Sequence, residues 1–152
     1  MGMSYISSRE GVTPVAGDML LGWTTGADEL ARIMEIMIGG EAAASAVNRM
    51  AVRRSTTNLI TPTAQTPAKR SPTSPASYTL VATTAATQPV TAALPALWTQ
   101  AFNVFGGQVL WRALEADEGL IIVGATVGSS ELSLEASSGT GVISGECVHE
   151  DL

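Results

Sequence analysis

Between residues 97 and 150 the chain alternates apolar runs of strand length with short, glycine-bearing breaks, and that rhythm leaves few folds open. The runs are 97–105, 108–114, 120–123, 131–135 and 142–149, punctuated by Gly106-Gly107, Gly119, the break at 124–130, and Ser137-Ser138-Gly139-Thr140-Gly141. Five strand candidates within about fifty residues, with turn residues between them, predict a small antiparallel β-sandwich or barrel. Glu131, Ser133 and Glu135 alternate with Leu132 and Leu134, so this strand is expected to show one face to the core and one to water. Leu120 to Val123 lacks alternation, as in a strand covered on both sides. Upstream, residues 78–84 are rich in β-branched side chains and read as the first strand of the same domain, and 88–93 as a further edge strand bearing Pro89.

The rest of the chain has a different character. Residues 1–24 carry isolated apolar side chains (Tyr5, Ile6, Val12, Val15, Met19, Leu20, Leu21, Trp23) among glycines, with no sustained period of either kind. From Thr25, a candidate cap, Asp28 and Glu29 precede Leu30, Ile33, Met34, Met37 and Ile38 at helical spacing, which predicts a helix over about 26–38. After Gly39-Gly40, the alanine-rich stretch ending in Arg49, Arg53 and Arg54 predicts a second helix over 41–54. Residues 55–77 hold Pro62, Pro67, Pro72 and Pro75 among Thr, Ser and Ala, the composition of an extended linker. The expected fold is therefore mainly β: an extended, partly helical N-terminal arm (1–54), a linker (55–77), and a C-terminal sandwich (78–152).

Charge and cysteine usage narrow the function. The formal charge is −6, so the chain as a whole is not expected to bind a phosphate backbone. Arg49, Arg53, Arg54, Lys69 and Arg70 form a local basic cluster that suits either a solvated surface or an acidic partner. A lone cysteine, Cys147, allows no intrachain disulfide framework. The N-terminus lacks the basic start and long apolar core of a signal peptide, and no apolar run is long enough for a membrane span. A soluble protein made without membrane insertion is the expectation.

No motif points to chemistry. The one histidine, His149, rules out a polyhistidine metal cage and must serve any serine triad, with Ser137, Ser138 or Ser144 as partner. Cys147 and His149 lie two apart on a strand and so share a face, the best nucleophile and base pair available; a small buried hydrophobe beside a polar chain end explains them as well. Asp117 with Glu118, or His149 with Glu150 and Asp151, lack the spacing of a cation loop. Ser138-Gly139-Thr140-Gly141 lacks the Gly-Lys of a phosphate loop and reads as a β-turn. Trp98, Trp111, Phe102 and Phe105 suit a sandwich core better than a sugar platform. No enzyme, cofactor or metal is expected.

In its plan of an arm before a compact β-domain, and in the closing run from Leu132 to Gly145, the chain resembles the head decoration (cement) proteins and other small virion structural proteins of tailed bacteriophages. The resemblance implies a non-enzymatic protein on the capsid surface of a virion, made in the host cytoplasm, binding the major capsid protein or other virion proteins as a homo-oligomer, a trimer being favoured. It implies an arm that orders on contact, and exposure-prone apolarity marks Tyr5, Ile6, Leu20, Leu21, Trp23, Leu30, Ile33, Met34, Met37 and Ile38 as the residues expected to dock. Arg53, Arg54, Lys69 and Arg70 would meet acidic patches on the shell. A head–tail connector or tail component, and a glycan- or receptor-binding β-module using Trp98 or Trp111, are the alternatives.

Overall fold

The computed structural model describes residues 3–26, 28–55, 60–87, 95–115, 118–123, 131–138 and 141–152. Among them are twelve strands and no α-helix: β1 (Met3–Val12), β2 (Met19–Thr24), β3 (Leu30–Glu41), β4 (Val47–Arg54), β5 (Ile60–Gln65), β6 (Ala68–Lys69), β7 (Leu80–Thr87), β8 (Trp98–Asn103), β9 (Phe105–Arg112), β10 (Leu120–Val123), β11 (Leu132–Ser138) and β12 (Ile143–Asp151). They form two antiparallel sheets. One runs β10-β3-β12-β1-β6, with β9 also paired to β3; the other runs β5-β7-β2-β11-β4-β8. The strand expected at 88–93 lies outside the described residues.

The N-terminal half is part of this sandwich. β1 pairs with β12 from Met3↔Asp151 to Val12↔Ile143, so the two ends of the chain lie side by side in the middle of one sheet. β2 sits between β7 and β11 in the other. The helices expected over 26–38 and 41–54 are instead the strands β3 and β4. In β3 the inward residues are Ala31 and Ile33, then Ile36 and Ile38; the register to β12 shifts between Val148↔Glu35 and His149↔Ile33, leaving Met34 as the extra residue of a β-bulge. One inserted residue turns a period of two into spacings of three and four, which is what imitated a helix face. Thr25 and Glu29 do not cap a helix. Thr25 Oγ1 donates to the Glu29 carbonyl at 3.1 Å, and the Glu29 carboxylate accepts from the Gly26 N–H at 2.9 Å, in the connection between β2 and β3. In β4, pairing with β11 on one side and β8 on the other overrides the modest helical preference of alanine.

The core lies between the sheets. Leu20, Leu21, Trp23, Met50, Val52, Leu132 and Leu134 from one sheet meet Ile33, Ile36, Ile38, Ile122, Ile143 and Cys147 from the other, all buried. Leu20 and Leu21 both reach it because the β2–β11 register slips by one residue beside them. Close approach is demanded at Gly40, where a Cβ would overlap the Val104 backbone. At Val104 the chain leaves β8 in one sheet and enters β9 in the other; its N–H donates to the Ala46 carbonyl (3.0 Å) and its carbonyl accepts from Ala42 (3.0 Å). The glycine pair Gly106-Gly107, read above as the turn, lies within β9. Glu131, Ser133 and Glu135, expected to meet water, are buried, and Arg53 lies against Glu135 at 2.8 Å.

The segment expected to be a free linker is also tied in. β5 pairs with β7 as the edge of its sheet, a position that tolerates Pro62, and β6 pairs with β1.

Candidate functional site

Three places carry the features a function needs: a buried polar cluster at one end of the sandwich, the outer face of the sheet containing β3, and the side of the sandwich bounded by β8 and β9.

The cluster forms where β12 meets the chain entering β7. Tyr5 and His149 are cross-strand neighbours on β1 and β12, and their rings stack with centroids 5.5 Å apart and an interplanar angle of 21°. His149 Nε2 lies 3.2 Å from Ser77 Oγ and 3.9 Å from Asp151 Oδ1. Asp151 accepts from Thr79 Oγ1 (2.7 Å), the Tyr78 N–H (3.0 Å) and Ser77 Oγ (3.3 Å). With Asp151 taking the serine proton, the network is satisfied by a His149 that carries its proton on Nε2. Nδ1 is buried with no partner among the described residues. Burial holds the imidazole pKa down to about 4, against the opposing pull of Asp151. The Tyr5 hydroxyl donates to the Pro75 carbonyl at 3.1 Å, and its pKa is raised by burial and by Asp151. The Tyr78 hydroxyl donates to the Leu30 carbonyl (2.5 Å) and accepts from the Leu152 N–H (2.7 Å).

This cluster is a latch between the sheets. A serine–histidine–carboxylate relay needs the carboxylate on the ring nitrogen opposite the serine, whereas Asp151 and Ser77 share Nε2, and the ring is fully buried. Ser77, which the sequence did not single out, takes the place considered for Ser137, Ser138 or Ser144. Cys147 does share the inward side with His149, but it is enclosed in the apolar core, where burial pushes its thiol well above the usual range. A second polar contact joins the sheets farther along β1, where the half-buried Arg9 guanidinium donates to the carbonyls of Met19 (3.0 Å), Leu20 (3.2 Å) and Thr83. Among the described residues no group of three His, Cys, Asp or Glu is placed to hold a metal ion.

The docking residues expected from sequence are largely spent on this interior. Tyr5, Leu20, Leu21, Trp23, Ile33 and Ile38 are buried in the protein's own core, because β1, β2 and β3 are inner strands and not an arm. Arg53 is committed to Glu135, and Arg54 donates to the Ile121 carbonyl at 3.0 Å. Ile6, Met34 and Met37 are half-buried on the outer face of the β3 sheet, where Met34 shares a hollow with Arg70, Arg112 and Glu150. That face is crossed by the ion pairs Arg32–Glu150 (2.8 Å) and Arg112–Glu35 (2.5 Å). Leu30, Lys69 and Arg70 remain exposed.

Exposed apolar side chains occur at Met3, Val15, Leu80 and Leu152, and also toward β8 and β9, where Phe105, expected in the core, is exposed. Val47 is 65% exposed, Phe105 61% and Leu110 56%, with Leu97 and Leu114 nearby in sequence and also exposed. Trp98 and Trp111 pack half-buried against the core and Phe102 is buried, so these rings form no open aromatic platform.

No protein-family model and no curated protein matches the chain. Among solved structures it is similar to one described as "nora virus structure", with 10% sequence identity and a TM-score of 0.35. The similarity covers 97% of this chain and 54% of that one, so the chain spans about half the length of the solved chain it matches.

Proposed function

We propose that this chain is a non-enzymatic structural protein of a virion, seated on a shell of major capsid protein as a reinforcing decoration. The observation that carries the reading is the division of the surface. The titratable groups best suited to chemistry, His149 and Cys147, are sealed inside, while Val47 at the start of β4 and Phe105 at the start of β9 stand exposed. Apolar side chains exposed together on a folded domain favour contact with another protein over contact with water. Attachment therefore falls to the β8–β9 side in place of an N-terminal arm, and the exposed Lys69 and Arg70 are available to acidic groups on the shell. A connector or tail component uses the same physics in a single ring. A glycan-binding role would need Trp98 or Trp111 uncovered.

Quantitative mass spectrometry of purified particles tests the proposal. A copy number matching that of the shell subunit supports decoration, and the copy number of one ring supports the connector reading. Absence of the chain from the particle rejects both.

A further inference from the structure

The two lateral sides of the sandwich are finished differently. On one, the edge of β1 is occupied: Ala68 and Lys69 pair with Ile6 and Tyr5, and the Gln65 side-chain amide then stands in for a strand. Its Nε2 donates to the Ser8 carbonyl at 2.6 Å and its Oε1 accepts from the Ser8 N–H at 3.2 Å. On the other, β9 pairs with β3 along one side and has no strand on its second side among the described residues. Alternate N–H and C=O groups of an edge strand point away from its sheet and remain available to another strand. The one protection on β9 is the register shift at Gly106-Gly107, at the end of the strand away from Leu110. The strand holds no proline and no lysine, and its one charged residue, Arg112, is already paired with Glu35.

We propose that β9 pairs antiparallel with β9 of a second copy of this chain, about a twofold axis passing through Leu110. Two features favour a second copy over a foreign strand. The chain carries a formal charge of −6, so copies repel in general, yet β9 has no carboxylate and two copies can approach there. The strand is also self-complementary in this register. For the inner faces of both sheets to stay inner, the axis must pass through a residue and not between two. Placing it at Leu110 sets Leu110 against its own symmetry mate on the outer face and puts Gln108 opposite Arg112, amide to guanidinium. On the inner side it sets Val109 opposite Trp111, a β-branched and aromatic pair that extends the two cores into one. An isologous contact of this kind is twofold and closes on itself, which distinguishes it from the trimer that the resemblance implies. It holds whether or not the chain belongs to a virion.

Leu110 is exposed, so substitutions there spare the fold, which the near-ultraviolet circular dichroism of each variant checks. Sedimentation equilibrium of the full chain is expected to show a dimer. Leu110→Lys and Leu110→Glu, each made twice across the axis, are expected to weaken association on the order of 100-fold, and an equimolar mixture of the two to restore a mixed dimer. Leu110→Cys is expected to form a covalent dimer on mild oxidation, because the native Cys147 is fully buried, while Val47→Cys is not. A wild-type chain that stays monomeric at high concentration, a Leu110→Lys variant that still dimerises, or a lysine and glutamate mixture that does not reassociate would each overturn the proposal.

Discussion

Tyr5 and His149, two residues from opposite ends of the chain, stack face to face inside the sandwich with their ring centroids 5.5 Å apart. The contact fixes the register of β1 on β12 at the place where the interior changes from apolar to polar. It also leaves His149 Nδ1 without a partner among the described residues, so a second proton there finds no acceptor among them.

Stability is therefore expected to depend on the charge of His149. Its folded-state pKa of about 4 lies below the ordinary 6.5, so the unfolded chain binds the proton more tightly. The contribution is complete above pH 6.5 and is lost as pH falls through about 4, amounting to about 3 kcal/mol. His149 is the chain's one histidine, so its Cε1 proton resonance can be followed without assignment work. A midpoint near 4 is expected, and a midpoint at 6.5 would show that the ring is not held as described.

Gln65→Ala strips the Ser8 N–H and C=O of their partners and is expected to destabilise the fold by about 1–2 kcal/mol in urea titration. Gln65→Glu keeps the acceptor for the N–H but sets a carboxylate against the Ser8 carbonyl. It should be worse than alanine, and equality between the two would remove the strand-mimicking role.

Gly39 and Gly40 are adjacent in β3 and should respond in opposite ways. A Cβ at Gly39 meets nothing within 4 Å, so Gly39→Ala is expected to leave the melting temperature nearly unchanged. Gly40→Ala pushes into the Val104 backbone at the corner between β8 and β9 and is expected to cost about 2 kcal/mol or more. Similar melting temperatures for the two variants would contradict the packing at that corner.

Asn48 is fully buried on β4 and neither end of its amide has a hydrogen-bond partner among the described residues. Replacing it by a similarly sized apolar side chain removes an uncompensated desolvation penalty, so Asn48→Leu is expected to stabilise the fold by about 1–2 kcal/mol. A loss of stability on thermal unfolding would show that the amide makes a contact of its own.

Alternation and turn residues were enough to mark residues 97–150 as β and to locate nearly all the described strands there, because they are local properties that survive any tertiary arrangement. The sequence also marked Cys147 and His149 as sharing a side of one strand. It did not reveal that β3 is a strand, since the bulge at Met34 becomes visible only against the partner β12. Nor did it reveal that Tyr5, Leu20 and Trp23 are core and not contact surface, because their covering residues lie far away in sequence. The buried polar latch and the edge of β9, unpaired among the described residues, have the same origin. Backbone hydrogen-bonding groups are alike at every residue, so which strand lies beside which, and which edge is left bare, is decided when distant apolar faces pack together.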